Sequence, residues 1–197
     1  MTDERLLERA AQGDETAFQI LYERYRDGIF RFAYRLIGSV EAAEDVTHDC
    51  FLSLIKEPGR YDPERASLRT YLYAAARNLA LKQFNYFSRA SAIDEFSEHA
   101  STDNGPIGRM LDSELSAQVE QAIASLAPLQ REALVLFEYE DLSLAEIAAV
   151  VGADVGVVKS RLFRARDTMR QRLAEYFSVR SEAAKVKDSF GAPVRSR

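Results

Sequence analysis

Residues 143–170 read SLAEIAAVVGADVGVVKSRLFRARDTMR, and the fold follows from how this stretch divides. Ser143 and Glu146 have the spacing of a capping box, in which the Ser side chain takes an orphan N–H of the first turn and the Glu reaches back to the Ser N–H. A helix therefore starts at Ser143 and runs through Ile147, Ala148 and Val151 to Gly152, a residue type that lets the chain turn sharply. Asp154 is placed to cap a second, longer and basic helix. Short helix, tight glycine turn and basic helix together make a helix-turn-helix. With Val158 at zero on a wheel of about 100° per residue, Leu162, Ala165 and Met169 fall within roughly 40° and face a core. Lys159, Ser160, Phe163 and Arg164 fall between about 100° and 240°, facing away. Such an arc can bond phosphates, make a bidentate Arg contact to guanine and touch a thymine methyl. Spacing alone also fits a charged surface helix, although a Phe among cations is unusual there.

Outward from this motif, the chain reads as helices. Of its 197 residues 47% are hydrophobic, with nine Gly and five Pro, which suits packed helices better than a sandwich, a barrel or a wholly disordered chain. Periodicity places helices near 3–12, 15–37, 40–57 and 67–87, then near 112–126, 128–140, 143–151 and 155–177. In the second helix Phe18, Leu21, Tyr22, Tyr25, Ile29, Phe32, Ala33, Leu36 and Ile37 form a broad apolar face. Pro58, Gly59 and Pro63 interrupt the pattern, and Pro128 suits a first helical turn. Residues 88–111 lose periodicity and gather Ser, Asp, Asn, Gly and Pro, as a flexible acidic linker does. The expectation is an all-α protein of two helical domains, 1–87 and 112–177, with the linker 88–111 between them and a weakly basic, poorly ordered tail at 178–197.

Charge is segregated along the chain. The net charge is −5, yet Arg60, Arg65, Arg69, Arg77, Lys82 and Arg89 face only Asp62 and Glu64 within residues 60–89. Residues 151–177 form a second basic island, and residues 90–150 between them carry twelve acids against Arg109 and Arg131. This is the distribution of a protein that touches a polyanion at two places. A single cysteine, Cys50, excludes an intramolecular disulfide and fits a reducing, cytoplasmic setting. The N-terminus lacks the apolar core of a signal peptide, and no run of 18 apolar residues suggests membrane insertion. His48 and Cys50 lie two apart on a helix and share no face, so neither a metal nor another cofactor is expected.

Residues 126–170 resemble region 4 of the sigma-70 superfamily, in the extracytoplasmic-function (ECF) group. The Leu-Ser before the first helix, Glu-Ile-Ala within it and Val-Lys-Ser-Arg-Leu-Phe-Arg-Ala-Arg in the second carry the likeness; Val157 departs from the usual Thr. The resemblance implies that Lys159, Ser160, Phe163 and Arg164 read the minus-35 promoter element, with Arg161 and Arg166 on phosphates. Residues from about Ala17 to Phe87 resemble region 2. Ala43 to Phe51 looks like the segment that docks on the polymerase clamp helices, with His48 and Asp49 in place of Gln and Glu. It implies core-binding roles for Asp45, Val46, His48, Asp49 and Phe51.

Residues 67–80, SLRTYLYAAARNLA, resemble the minus-10 helix, with Tyr71 in place of Trp and Leu68 of Phe. On a wheel Leu68, Leu72, Ala75 and Leu79 form the expected buried stripe, while Tyr71, Asn78 and Lys82 align along one flank suited to stacking and bonding single-stranded bases. Tyr61 matches the loop that pockets a flipped base, and Arg69 joins the minus-10 set; a core role for Tyr61 and Tyr71 is the alternative. The implied partners are RNA polymerase core, through the clamp helices of its largest subunit and its flap, promoter DNA and an anti-sigma factor. The implied work is binding, not catalysis. The linker acids Asp94, Glu95 and Glu98 are expected to mimic nucleic acid inside the polymerase. The rival readings are a dimeric helix-turn-helix repressor or activator and a helical hydrolase using His48, His99 or Cys50, for which no nucleophile and base stand in a recognised pattern.

Overall fold

A computed structural model describes residues 1–91 and 112–190, and every regular element among them is helical. In chain order these are α1 (Asp3–Ala11), α2 (Glu15–Ile37), α3 (Val40–Lys56), a 3-10 turn at Pro58–Arg60, α4 (Leu68–Ser91), α5 (Asp112–Ala124), α6 (Pro128–Glu138), α7 (Leu144–Val151) and α8 (Val155–Phe190). The linker acids Asp94, Glu95 and Glu98, with His99, lie outside the described residues.

The helix boundaries have local chemical causes. Asp14 accepts the Ala17 N–H at 3.0 Å to start α2, and Ser39 accepts the Ala42 N–H at 3.2 Å to start α3. Gly38 ends α2 in the left-handed region at φ 82°, a conformation that glycine adopts without penalty. Pro58 stops the chain from continuing α3, and Ser67 accepts the Thr70 N–H at 3.2 Å as α4 begins. Each satisfied cap is worth about 1 kcal/mol.

Two sets of four helices bury their apolar faces. In the first, α2 packs on α1, α3 and α4 around Leu6, Leu21, Ile29, Phe32, Phe51, Leu54, Leu68 and Leu72, all essentially sealed from solvent. The expected face of α2 is its buried side, with Leu21, Ile29, Phe32 and Ala33 in the core and Phe18, Tyr22, Tyr25, Leu36 and Ile37 at its rim. In the second set α8 packs on α5, α6 and α7 around Ile123, Leu136, Leu142, Ile147, Val158 and Leu162. Burying one such side chain contributes about 2 kcal/mol, so these cores dominate the stability.

Three features depart from the sequence reading. The two sets are packed together, α4 on α7 and α2 on α6. As a result α4 is covered on two sides, and its buried apolar residues include Leu68, Leu72, Tyr73, Ala76 and Ala80, while Ala75 and Leu79 are only half-buried. Finally, α8 continues to Phe190 through most of the segment expected as a poorly ordered tail.

Candidate nucleic-acid interface

The arc on α8 rests on a well-defined turn. The capping box is complete: Glu146 N–H donates to Ser143 Oγ at 3.3 Å, and Ser143 N–H donates to Glu146 Oε2 at 2.9 Å. These bonds hold the Glu146 carboxyl below its ordinary pKa, the Ser143 hydroxyl contributing most and its N–H next. Gly152 turns the chain at φ 63°. The Asp154 backbone carbonyl accepts the Val158 N–H at 3.1 Å, and no carboxylate cap accompanies it among the described residues.

Val158, Leu162 and Ala165 are buried against α6 and α7, and Met169 is half-buried. The sequence wheel therefore has the correct phase. Lys159, Ser160, Phe163 and Arg164 all stand exposed on the opposite side, and Phe163 keeps 75% of its surface in solvent. Beside them Phe137, Leu144, Lys159, Phe163, Arg166 and Arg170 line a shallow hollow. A cation and an aromatic ring projecting from one helix are suited to phosphate and base contacts in a major groove.

The other two cations expected on α8 are occupied. Arg161 turns inward and meets Glu132 Oε1 at 3.2 Å, and that carboxylate is only 2% exposed. Arg166 pairs with Glu138 at 2.6 Å and lies over the Phe137 ring at 5.1 Å, but this pair is half-exposed. Exchanging an exposed partner for a phosphate costs little, whereas drawing Arg161 away would strip the buried Glu132 carboxylate of one of its two guanidinium partners, the other being Arg77. Arg166 is thus available for phosphate in this arrangement and Arg161 is not.

On α4, Asn78 and Lys82 are exposed and Tyr71 is half-buried on the same flank. The Tyr61 ring meets Tyr71 edge-on at 5.6 Å. Tyr61 is itself buried, with its hydroxyl lacking a partner, and burial pushes both phenols up. In this arrangement Tyr61 packs against the core, the alternative its sequence context allowed. Arg69 is separated from the Tyr71 flank by the turn of the helix. It lies with Tyr73 and Arg77 on the side facing α6 and α7, where its guanidinium donates to the Glu140 backbone carbonyl. The expected minus-10 set is therefore split between two sides of one helix.

The segment expected to bind polymerase also divides. Asp45, His48 and Asp49 are exposed on one side of α3, with Glu41, Glu44 and Leu52. Val46 and Phe51 point the other way and are 1% and 2% exposed, Phe51 meeting Tyr22 edge-on at 4.9 Å. They are core residues, because positions 46, 50 and 54 repeat on the face that α2 and α4 cover. Cys50 shares that face; its thiol donates to the Leu72 carbonyl at 3.5 Å, and burial pushes its pKa up to about 12. Among the described residues no three His, Cys, Asp or Glu side chains are grouped to hold a metal, and no helix is long and apolar enough to cross a membrane.

Residues absent from the sequence reading stand at the junction of the two halves. Glu132 receives Arg77 Nε at 2.7 Å, and Glu140 receives the Tyr73 hydroxyl at 2.6 Å. Both acids look like surface residues in the sequence. The one local signal is Gly28 in mid-helix, a costly choice unless something approaches closely.

Comparison with known proteins agrees with this geometry. The pattern of sigma-70 region 2 matches residues 21–90, and that of sigma-70 region 4 matches residues 116–169. The chain is 35% identical to the RNA polymerase sigma-H factor of Pseudomonas aeruginosa, over 87% of this chain and 93% of that one. It is 30% identical to the ECF RNA polymerase sigma factor BldN of Streptomyces coelicolor, over 86% of this chain but 65% of that longer protein. Among solved structures, the sigma factor RpoE of Bartonella quintana, in complex with the anti-sigma factor NepR, shares the fold with a TM-score of 0.68 at 23% identity, over 80% of this chain and 96% of that one. With both regions matched in order and a full-length relative above 30% identity, the chain belongs to the ECF group of the sigma-70 family, the sigma factors of RNA polymerase that serve transcription initiation.

Proposed function

We propose that the chain binds RNA polymerase core and directs it to promoters by reading two elements. The observation that carries this reading is the exposed Lys159, Ser160, Phe163 and Arg164 arc on a helix whose other side is buried. Region 4 reads the minus-35 duplex through that arc, with Arg166 moving from Glu138 to a phosphate. Region 2 holds single-stranded minus-10 bases along Tyr71, Asn78 and Lys82 once the strands part. The exposed side of α3, with Asp45, His48 and Asp49, docks on the clamp helices of the largest polymerase subunit, and region 4 meets the flap.

Polymerase joins two weak sites into one strong one, since a second contact made within a complex benefits from a high effective concentration. This is how a chain of net charge −5 binds a polyanion. An anti-sigma factor is a natural regulator, given that RpoE, a structural relative, was solved with one.

Run-off transcription with purified polymerase core tests the proposal. Promoter-specific transcripts that depend on adding this chain are the expected result. Operator-like footprints without core, and no stimulated transcription, would replace it with a conventional helix-turn-helix regulator.

A further inference from the structure

Beside the reading arc stands an acid. Glu138 is exposed at the last position of α6, and its Oε1 takes Nε of Arg166 at 3.0 Å and Nη2 at 2.6 Å. Folding gives Glu138 little reason to be there. A carboxylate in the last turn of a helix opposes the helix dipole. An ion pair whose side chains keep 48% and 42% of their surface in solvent adds little stability. A phosphate approaching Arg166 also meets the repulsion of this carboxylate.

Arg166 is held differently from the cations around it. Its guanidinium lies over the Phe137 ring at 5.1 Å, so one face rests on an aromatic while one edge is clamped by Glu138. Arg170, which lines the same hollow, pairs with Asp167 of its own helix at 3.3 Å. Among the described residues no carboxylate pairs with Lys159 or Arg164. Of the three cations lining the hollow, Lys159, Arg166 and Arg170, Arg166 is therefore the one restrained by an acid from another helix.

That restraint acts unequally on matched and unmatched DNA. Binding to an unmatched duplex is electrostatic, each cation gaining by displacing counterions from a phosphate. Arg166 already has an anion, and trading it for a loosely placed phosphate gains nothing. Where Lys159, Ser160, Phe163 and Arg164 are seated on matching bases, a phosphate is fixed within reach, and a well-aligned charge-assisted bond replaces the carboxylate. We propose that Glu138 is a specificity-determining residue of region 4: it withholds Arg166 from the phosphates of unmatched duplex and yields it once the arc is seated. This rests on reading the arc as the part that recognises the minus-35 element.

The test uses holoenzyme assembled from the full-length chain and polymerase core. One duplex carries the promoter identified by run-off transcription, and the second is the same duplex with its minus-35 element scrambled. Filter binding at several salt concentrations gives affinity and salt slope for each. Glu138→Gln raises affinity for the scrambled duplex about three- to five-fold, the worth of an exposed ion pair, and for the matched duplex less than about two-fold. Its salt slope on the scrambled duplex steepens by about 0.9, the mark of one added phosphate contact, and is unchanged on the matched one. The gain vanishes when Arg166→Ala accompanies it. Glu8→Gln, at an exposed position of α1, makes the same change in net charge and alters neither slope. Equal gains on both duplexes, or none, would overturn the assignment. A wild-type preference for the matched duplex that Glu138→Gln leaves intact sinks the assignment alone; a wild type indifferent to the scrambling sinks the promoter reading with it.

Discussion

Phe163 is the residue whose placement folding explains least. A phenylalanine three-quarters exposed gains nothing from the core, so its truncation separates function from stability. Phe163→Ala should leave thermal stability within about 0.5 kcal/mol of wild type, while promoter-specific transcription falls about 5- to 150-fold, the value of one good base contact. Unchanged transcription in a run-off assay would remove Phe163 from the reading arc. Ser143 lies at the opposite pole, a residue of structure alone. Ser143→Ala should cost about 1 kcal/mol near neutral pH, and pH adds a signature. The Glu146 carboxyl is held below its ordinary value of 4.5 in the native state, first by the Ser143 hydroxyl. Its contribution is therefore complete above about pH 4.5 and lost as pH falls through the lower native value. The gap between wild type and Ser143→Ala should narrow on acidification below that point in a series of thermal melts. Both residues were legible from spacing, because a capping box and a helical arc are local patterns. Arg161 was not: the family resemblance implied a phosphate contact for it, and only the fold reveals the buried Glu132 beside it.

At the scale of the element, α3 presents two faces with separable consequences. Its outer side carries Asp45 and Asp49 with no core behind them. Replacing both with Lys should abolish binding to polymerase core in a pull-down while leaving the melting curve close to wild type. Phe51→Ala does the reverse, costing about 3–5 kcal/mol in a denaturant titration through the cavity it leaves. If Phe51→Ala melted like wild type yet lost polymerase, its assignment to the core would be wrong. Helix starts on α6 and α7 were readable because Pro128 and Ser143 act within a few residues. The rotational phase of α4 was not readable. Its apolar positions point toward two neighbours, and one of them, α7, lies far along the chain. Tyr73, which meets Phe32 of α2 edge-on and donates to Glu140, and Ala80 are both buried outside the expected stripe, so a wheel that assumes one core turns the helix too far.

At the scale of the whole molecule, the two basic islands and the acidic stretch between them were plain in the sequence, and their mutual neutralisation was not. Glu132 and Glu140 belong to an ordinary run of acids until the fold brings Arg77 and Tyr73 against them. Long-range pairing of this kind leaves no periodicity to read. The free chain should bind promoter DNA weakly, and holoenzyme tightly with a steeper loss of affinity as salt rises, since more phosphates are then neutralised. Filter binding at several salt concentrations checks both slopes. The sealed thiol of Cys50 has a practical consequence for such experiments. With its pKa pushed up to about 12 and the Leu72 carbonyl over it, it presents almost no thiolate at neutral pH, so it is a silent background for alkylating dyes. Cysteines introduced at exposed Lys82 and Ser160 can each be labelled without removing it, and the chain as it stands is ready for a two-colour distance measurement between its halves.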